Sequence, residues 1–299
     1  MELDLQPGET MRRSFWQLTL LFTVALQVFE ASALRATVIY GDDDRLDYYQ
    51  VQDLQVKASA DATVMLVRST LLTEQSNGRT LIQTSSYGQD LGLCPTEPYF
   101  DQEKAGYCPG FLVAPDTIVT AGHCIRSQSD CDNVRFVFDF KFTSAKDQPR
   151  DVATNLVFRC AKIVHTVAEP VGEDFAVIRL DRPVTHVAPL SFRSSGTPVT
   201  GDSLTVIGYP WGLPLKVSGG AQVRKIEATY LQANLDTYAG NSGSAVLNAA
   251  TGLVEGVLVR GEADYDLAGG CRVSKRCSDT GCRGEDVTLF ERVRPYLSP

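Results

Sequence analysis

Three short strings hold residues that could act together as a nucleophile and its base: Thr120-Ala121-Gly122-His123-Cys124, Asp174 through Leu180, and Gly240-Asn241-Ser242-Gly243-Ser244. A serine hydroxyl is a weak nucleophile at its own pKa and needs an adjacent base. Histidine is the side chain whose ordinary pKa lets it take and return a proton near neutrality, and the chain has only three. His123 follows an apolar run among small neighbours, where its ring can face a cleft. His165, in Ile163-Val164-His165-Thr166, and His186, in a proline-rich stretch, read as structural. Asp174 opens the apolar run Phe175–Ile178. Its carboxylate would accept from the imidazole N–H that faces away from the serine, fixing the tautomer and stabilising the imidazolium. Neighbouring Glu173 has the same charge but points the other way if the run alternates as a strand. Ser242 is flanked by Gly240 and Gly243, which allow a tight turn that exposes the hydroxyl. The same turn aims the N–H groups of Gly240 and Ser242 at one point, the expected oxyanion hole. Ser244 leads into Ala245-Val246-Leu247 and reads as a strand residue.

Side chains so far apart in the chain need short, rigid elements to bring them together. From about residue 60 the sequence runs as brief β-branched-rich stretches punctuated by Gly, Pro, Asp and Asn. Thr63–Val67, Gly110–Val113, Thr117–Thr120, Val134–Phe140, Phe175–Leu180, Ser203–Ile207, Gln222–Tyr230, Ser244–Leu247 and Val254–Val259 suit strands. They are too short and too often interrupted for helices. Their spacing predicts an all-β barrel or sandwich. Pro183–Val199, with Pro183, Pro189 and Pro198, reads as a connector between two halves. Val287–Leu297 reads as a strand turning into a short helix that Pro295 limits. No internal repeat is visible. Leu34–Ser59 reads as a turn-rich acidic arm or pro-segment with a short Val38-Ile39-Tyr40 lead. Its Gly41-Asp42-Asp43-Asp44 is a solvated turn on this reading, since it lacks the spaced ligands of a calcium loop.

At 299 residues the chain can bury a large core, as one double-barrel domain or as two domains. A formal net charge of −8 argues against nucleic acid or an anionic membrane as partner. Residues 1–33 read as a signal peptide: Arg12-Arg13, an apolar run from Phe15 to Phe29, and the small-x-small site Ala31-Ser32-Ala33. Met1–Thr10 is acidic and suits the start of such a segment badly, which makes Met11 the alternative start. An uncleaved anchor is the competing reading, but the run falls short of the ~20 residues a membrane span needs. All eight cysteines, at 94, 108, 124, 131, 160, 271, 277 and 282, follow the proposed cleavage site. An even count in an exported chain reads as disulfides. The cluster Cys271, Cys277, Cys282 has no C-x-x-C spacing and no nearby histidine, so no metal and no cofactor is expected.

The chain order His, Asp, Ser separates the known solutions to this chemistry. Nucleophile-elbow hydrolases read Ser, acid, His, and subtilisin reads Asp, His, Ser; the chymotrypsin class reads His, Asp, Ser. With Ala-Gly-His-Cys, Asp-x-Ala-x-x-x-Leu and Gly-Asn-Ser-Gly in that order, the chain resembles the trypsin-like (chymotrypsin-fold) serine peptidases from about Thr63 onward. It is particularly similar to their bacterial branch, which includes the glutamyl endopeptidases. The resemblance implies a peptidase domain over 60–299 of two antiparallel six-stranded β-barrels and a short C-terminal helix. The first barrel would span about 60–185 and the second about 195–299. It also implies a Cys108–Cys124 bridge beside the histidine. Ile207-Gly208-Tyr209-Pro210 and Phe290–Leu297 match the family's second-barrel strand and closing helix, and Val38 through Arg45 is similar to the mature N-terminal stretch of the bacterial branch. One departure stands out: where the animal enzymes place an aspartate that pairs with the newly cut N-terminus, this chain has neutral Asn241.

The function these residues imply is a secreted or periplasmic serine endopeptidase working through an acyl-enzyme, with a catalytically inactive protease-fold binding module as the alternative. Its partners would be protein or peptide substrates, met as a monomer, with no nucleic acid and no membrane after signal cleavage. For specificity, Asp236 stands six residues before Ser242, beside Thr237. In the trypsin-like family that offset puts a carboxylate at the floor of the pocket for the residue preceding the cut, where it would select Arg or Lys. Three readings stay open: that one, an acidic or small-residue preference, and an Asp236 bonded to loop amides away from substrate. Val257–Gly261 would form the pocket wall, where Arg260, next to Gly261, could attract an acidic residue or neutralise Asp236. Thr288 falls where trypsin has a glycine lining the pocket, and its branch would obstruct a long side chain.

Overall fold

Closure of two antiparallel sheets on themselves organises the chain, as the computed structural model shows for Met1 and residues 38–297. The signal segment expected over residues 1–33, Met1 apart, lies outside the described residues. The first barrel is built from β1 (Thr63–Arg68), β2 (Cys108–Ala114), β3 (Thr117–Thr120), β4 (Val134–Val137), β5 (Val157–Ala168) and β6 (Asp174–Leu180). Its circular order is β1-β2-β3-β6-β5-β4, with β4 paired back on β1. The second is built from β7 (Ser203–Gly208), β8 (Lys216–Ile226), β9 (Tyr230–Ala233), β10 (Ala245–Asn248), β11 (Val254–Arg260) and β12 (Glu285–Leu289). It closes as β7-β8-β9-β12-β11-β10, the same circuit. A closed barrel leaves no unpaired strand edge. The all-β, two-barrel architecture implied by the sequence is the one observed.

Burial explains which strands were legible. β1 is buried from Thr63 to Val67, and β6 is buried throughout except Arg179. Strands covered on both faces read as continuous apolar runs rather than alternating ones. β5 is different. Among the described residues it is the longest strand, mostly half-exposed, with Arg159, Lys162, His165 and Thr166 interrupting its apolar residues, and it was not expected from the sequence. The run Gln222–Tyr230, expected as one strand, is two: β8 ends at Ile226 and β9 starts at Tyr230. The hairpin between them is closed by the Glu227 N–H on the Tyr230 carbonyl at 2.8 Å, without any Gly, Pro or Asn to announce a turn. Likewise β4 stops at Val137, not Phe140, because Asp139 turns to φ 65° and takes the chain out of the ladder.

The arm is part of the second barrel's wall. Val38 and Ile39 are fully buried, Ile39–Tyr40 pairs with Arg276–Cys277, and Arg45–Asp47 adds a strand to Lys216–Ser218 of β8. Buried Lys216 meets Asp47 at 2.6 Å, and buried Arg45 bonds Asp43 and stacks over the Tyr238 ring. Helix α1 (Leu54–Asp61), not foreseen from sequence, follows with Asp53 accepting the Gln55 and Val56 N–H groups at its start. The cysteines pair as Cys94–Cys271, Cys108–Cys124, Cys131–Cys160 and Cys277–Cys282. Cys131 sits on α2 (Gln128–Asn133), which its bridge ties to β5. The chain then closes with α3 (Phe290–Val293) and a 3₁₀ turn that contains Pro295.

Candidate active site

Strand register brings two of the three candidate residues together before any side chain is considered. Thr120 of β3 lies opposite Ala176 of β6 in an antiparallel ladder. Asp174, at the start of β6, is therefore level with the chain just beyond β3, where Gly122–Cys124 forms one 3₁₀ turn. That turn is pressed onto β5: a Cβ on Gly122 would stand 1.8 Å from the Val167 carbonyl oxygen, so only glycine fits. His123 thereby meets Asp174. Asp174 Oδ1 accepts the His123 backbone N–H at 3.0 Å, and Oδ2 meets imidazole Nδ1 at 2.8 Å. The aspartate side chain is fully buried and the histidine 14% exposed. Glu173 turns the other way and bonds Arg292. His165 stacks on Tyr296, and His186 packs edge-on against Phe138, both away from this site.

Ser242 comes from the second barrel, on the loop between β9 and β10. Gly240 and Gly243 adopt φ 85° and 104°, and a Cβ on Gly243 would be 2.3 Å from the Pro109 carbonyl oxygen of β2. The loop is tied by the Asn241 N–H on Tyr238 O (3.0 Å), Gly243 N–H on Leu258 O (2.7 Å) and Ser244 N–H on Asn241 O (3.0 Å). Among the described residues, the N–H groups of Gly240 and Ser242 have no acceptor. Alternate amides are thus committed and free, which suits an oxyanion site. Behind the loop, Asp264 accepts both the Trp211 indole N–H at 2.6 Å and the Ala239 N–H at 3.2 Å. Buried Asn241 accepts from the Ser244 hydroxyl at 3.4 Å. The Ser242 hydroxyl donates to Val259 O at 3.4 Å. His123, Gly240 and Ser242 all open on one cleft of about 380 Å³, floored by the Cys108–Cys124 bridge.

The residues expected to read the substrate are placed less simply. Asp236 is buried, and its two oxygens accept the Tyr40 N–H at 2.7 Å and the Asp44 N–H at 3.0 Å. This is the loop-amide arrangement, with the arm as the loop. Burial raises the Asp236 pKa to about 7, against the two amides that lower it. Adjacent Thr237 is fully buried, and its hydroxyl has no partner among the described residues. Thr288 is fully buried, and its hydroxyl donates to Asp174 O at 3.2 Å and accepts the Asp174 N–H at 3.3 Å. Arg260 donates to Asp286 (3.1 Å), Glu169 O (3.2 Å) and Gly172 O (2.9 Å), with Nη1 4.0 Å from Asp174 Oδ2. It braces the candidate acid instead of standing free, while Gly261 beyond it is half-buried. Sequence reasoning missed these supporting roles of Thr288, Arg260 and Asp264. For metal, the compact group Cys108, His123, Cys124 is disqualified by its chemistry, because both sulfurs are spent in the disulfide.

Residues 108–257 match the trypsin-like peptidase domain family, half of the chain, and the chain belongs to that family. It is 27% identical over 158 residues to a glutamyl endopeptidase of Bacillus licheniformis, a match covering 49% of this chain and 46% of the relative. It is 31% identical over 144 residues to a Bacillus subtilis protein named extracellular metalloprotease, covering 46% and 45%. The chain thus spans about half the length of the curated relatives it matches. A solved Glu endopeptidase structure aligns with TM-score 0.50 at 18% identity over 87% of this chain and 98% of that one, a likeness of fold.

Proposed function

We propose that this protein is an exported serine endopeptidase acting through an acyl-enzyme, with His123, Asp174 and Ser242 as its catalytic residues. The observation that carries this reading is the 2.8 Å His123–Asp174 contact, opening on the same cleft as Ser242. His123 takes the proton from the Ser242 hydroxyl as Oγ attacks the peptide carbonyl, while Asp174 holds Nδ1–H and stabilises the imidazolium. The N–H groups of Gly240 and Ser242 receive the oxyanion. His123 then gives its proton to the leaving amine, and a water repeats the sequence on the ester. Four disulfides favour an oxidising compartment, in keeping with the signal segment read in the sequence. Asp236 is assigned to holding the arm, because both its oxygens are taken by arm amides.

Ser242→Ala and His123→Ala should each lower peptide hydrolysis by orders of magnitude, leaving at most a residual of roughly 10³–10⁴ above water. Casein digestion measures the loss, and a fluorophosphonate probe should label the wild type at Ser242. Undiminished proteolysis by Ser242→Ala would refute the mechanism. A well-folded wild type that neither labels nor cleaves would instead be the inactive binding module.

A further inference from the structure

Apart from His123, Gly240 and Ser242, the cleft is walled by the first barrel: Arg68 ending β1, Tyr107, the Cys108–Cys124 bridge, and Arg126 and Asp130 beyond the histidine. β11, whose Val259 carbonyl receives the Ser242 hydroxyl, contributes nothing to it. His123, whose imidazole would protonate the leaving amine, opens on this cleft, whereas β11 lies outside it. The cleft is therefore the place for residues C-terminal to the cut.

Its charge runs against that of the chain, which is −8 overall. Arg68 and Arg126 are exposed, and among the described residues neither guanidinium makes an ion pair or a hydrogen bond. Arg68 lies over the Tyr107 ring, 5.8 Å from its centroid, which keeps its cation at the cleft wall. The one acid of the lining is occupied locally: Asp130 Oδ2 accepts the Arg126 and Ser127 N–H groups, each at 3.0 Å, and the Ser127 hydroxyl at 2.9 Å. What remains beside the candidate nucleophile is a pair of guanidiniums without a hydrogen bond or ion pair among the described residues. Asp130 keeps its charge and offsets Arg126 in part: against burial, which raises it, its pKa is lowered by its hydrogen bonds and by that arginine. The net positive balance suits a carboxylate.

We propose that this cleft reads the first two residues after the scissile bond and favours Asp or Glu there through Arg68 and Arg126. The inference rests on the peptidase reading. Both arginines are exposed, so the preference for an acidic over a basic residue should be modest, about three- to tenfold, and should shrink with salt. The test uses internally quenched peptides sharing the acyl half best cleaved from a mixed peptide library. Their first and second residues after the cut are varied among Asp, Glu, Ala, Lys and Arg. A second readout intercepts the acyl-enzyme with aspartic acid α-amide, which keeps its side-chain carboxylate, or lysine amide. The acceptor amine forms the new C–N bond as the ester C–Oγ bond breaks, and its proton passes through His123 to Ser242 Oγ. An acidic preference in the peptides that falls in about 0.5 M salt, and that moves toward Lys in the Arg68→Glu, Arg126→Glu double variant, is the expected result. The single variants Arg68→Gln and Arg126→Gln should each lose part of it, which covers a double variant that misfolds. Cleavage with no ordering, or with a basic preference, overturns this inference alone. No cleavage and no fluorophosphonate labelling overturn the peptidase reading, and this one with it.

Discussion

Asp174 is held at three points that the motif around it does not reveal. Thr288 fixes its backbone, His123 takes both its oxygens, and Arg260 stands 4.0 Å from Oδ2. The same arginine grips the carbonyls of Glu169 and Gly172, in the turn that delivers Asp174 to the head of β6. It therefore acts on the site in two separable ways, through its charge and through its clamp. A cation beside the Asp–His pair opposes a second cation on the imidazole. Arg260→Met removes both effects: kcat/KM should drop about tenfold from the loosened turn. The acid limb of its pH profile should also move to higher pH, since the inactive imidazolium is then opposed less. Arg260→Lys keeps the charge but not the fork, so it should lose rate without moving the limb. Profiles of kcat/KM against pH for the two variants decide between these effects. A limb that stays put in Arg260→Met would mean that Asp286, at 3.1 Å, already cancels the arginine's field.

Among the elements, those buried on both faces were readable in the sequence and those that are half-exposed were not. β1, β6 and β11 announce themselves as buried apolar runs, whereas β5 is mostly half-exposed and its apolar residues are broken up by Arg159, Lys162, His165 and Thr166. The candidate trio His123, Asp174 and Ser242 stood out in the sequence because a proton relay would limit residue type and order. Thr288, Arg260 and Asp264 were not, since their roles arise from pairings between strands far apart in the chain, which local pattern does not encode. Asp236 belongs with them. Its offset from Ser242 suggested a pocket floor, but the arm's amides reach it first. A pKa raised to about 7 means that the folded protein holds the proton that the unfolded chain releases near about pH 4. The stabilising effect of that proton is full below about pH 4 and is lost as pH rises through about 7. The stability difference between wild type and Asp236→Asn, from urea titrations at several pH values, should therefore decline across that window and then level. Parallel pH profiles would detach Asp236 from this response. In Asp236→Asn, and in Asp236→Ser, a peptide library should show an unchanged preference at the residue before the cut; a lost basic preference in Asp236→Ser would return Asp236 to the substrate pocket.

On the scale of the whole molecule, two barrels follow the same circuit of strands, although no repeat is visible in the sequence. Pairing order depends on where chains turn and which faces are buried, so two halves can share it without sharing residues. The candidate site lies between them, with His123 and Asp174 from the first barrel and Ser242 from the loop after β9. Its geometry thus depends on how the halves are joined. Cys94–Cys271 is the disulfide that crosses: Cys94 lies between β1 and β2, and Cys271 between β11 and β12. Beside it Leu93 bridges Arg272, and the Ser274 N–H donates to Glu97 at 3.0 Å. Cys277–Cys282 is its counterpart within one half. Loop-closure entropy grows with the span closed, and the two bridges close 177 and 5 residues of separation. Replacing Cys94 and Cys271 together by Ser should cost about 5 kcal/mol, against about 2 for the Cys277, Cys282 pair. Because the long bridge also joins the halves that carry the site, its loss should lower kcat/KM in protein still fully folded at low temperature, whereas loss of the short one should not. Urea unfolding and peptide kinetics on the two double variants measure both effects. Equal costs with unchanged kinetics would show that the packing between the barrels, not the disulfide, sets the distance from His123 to Ser242.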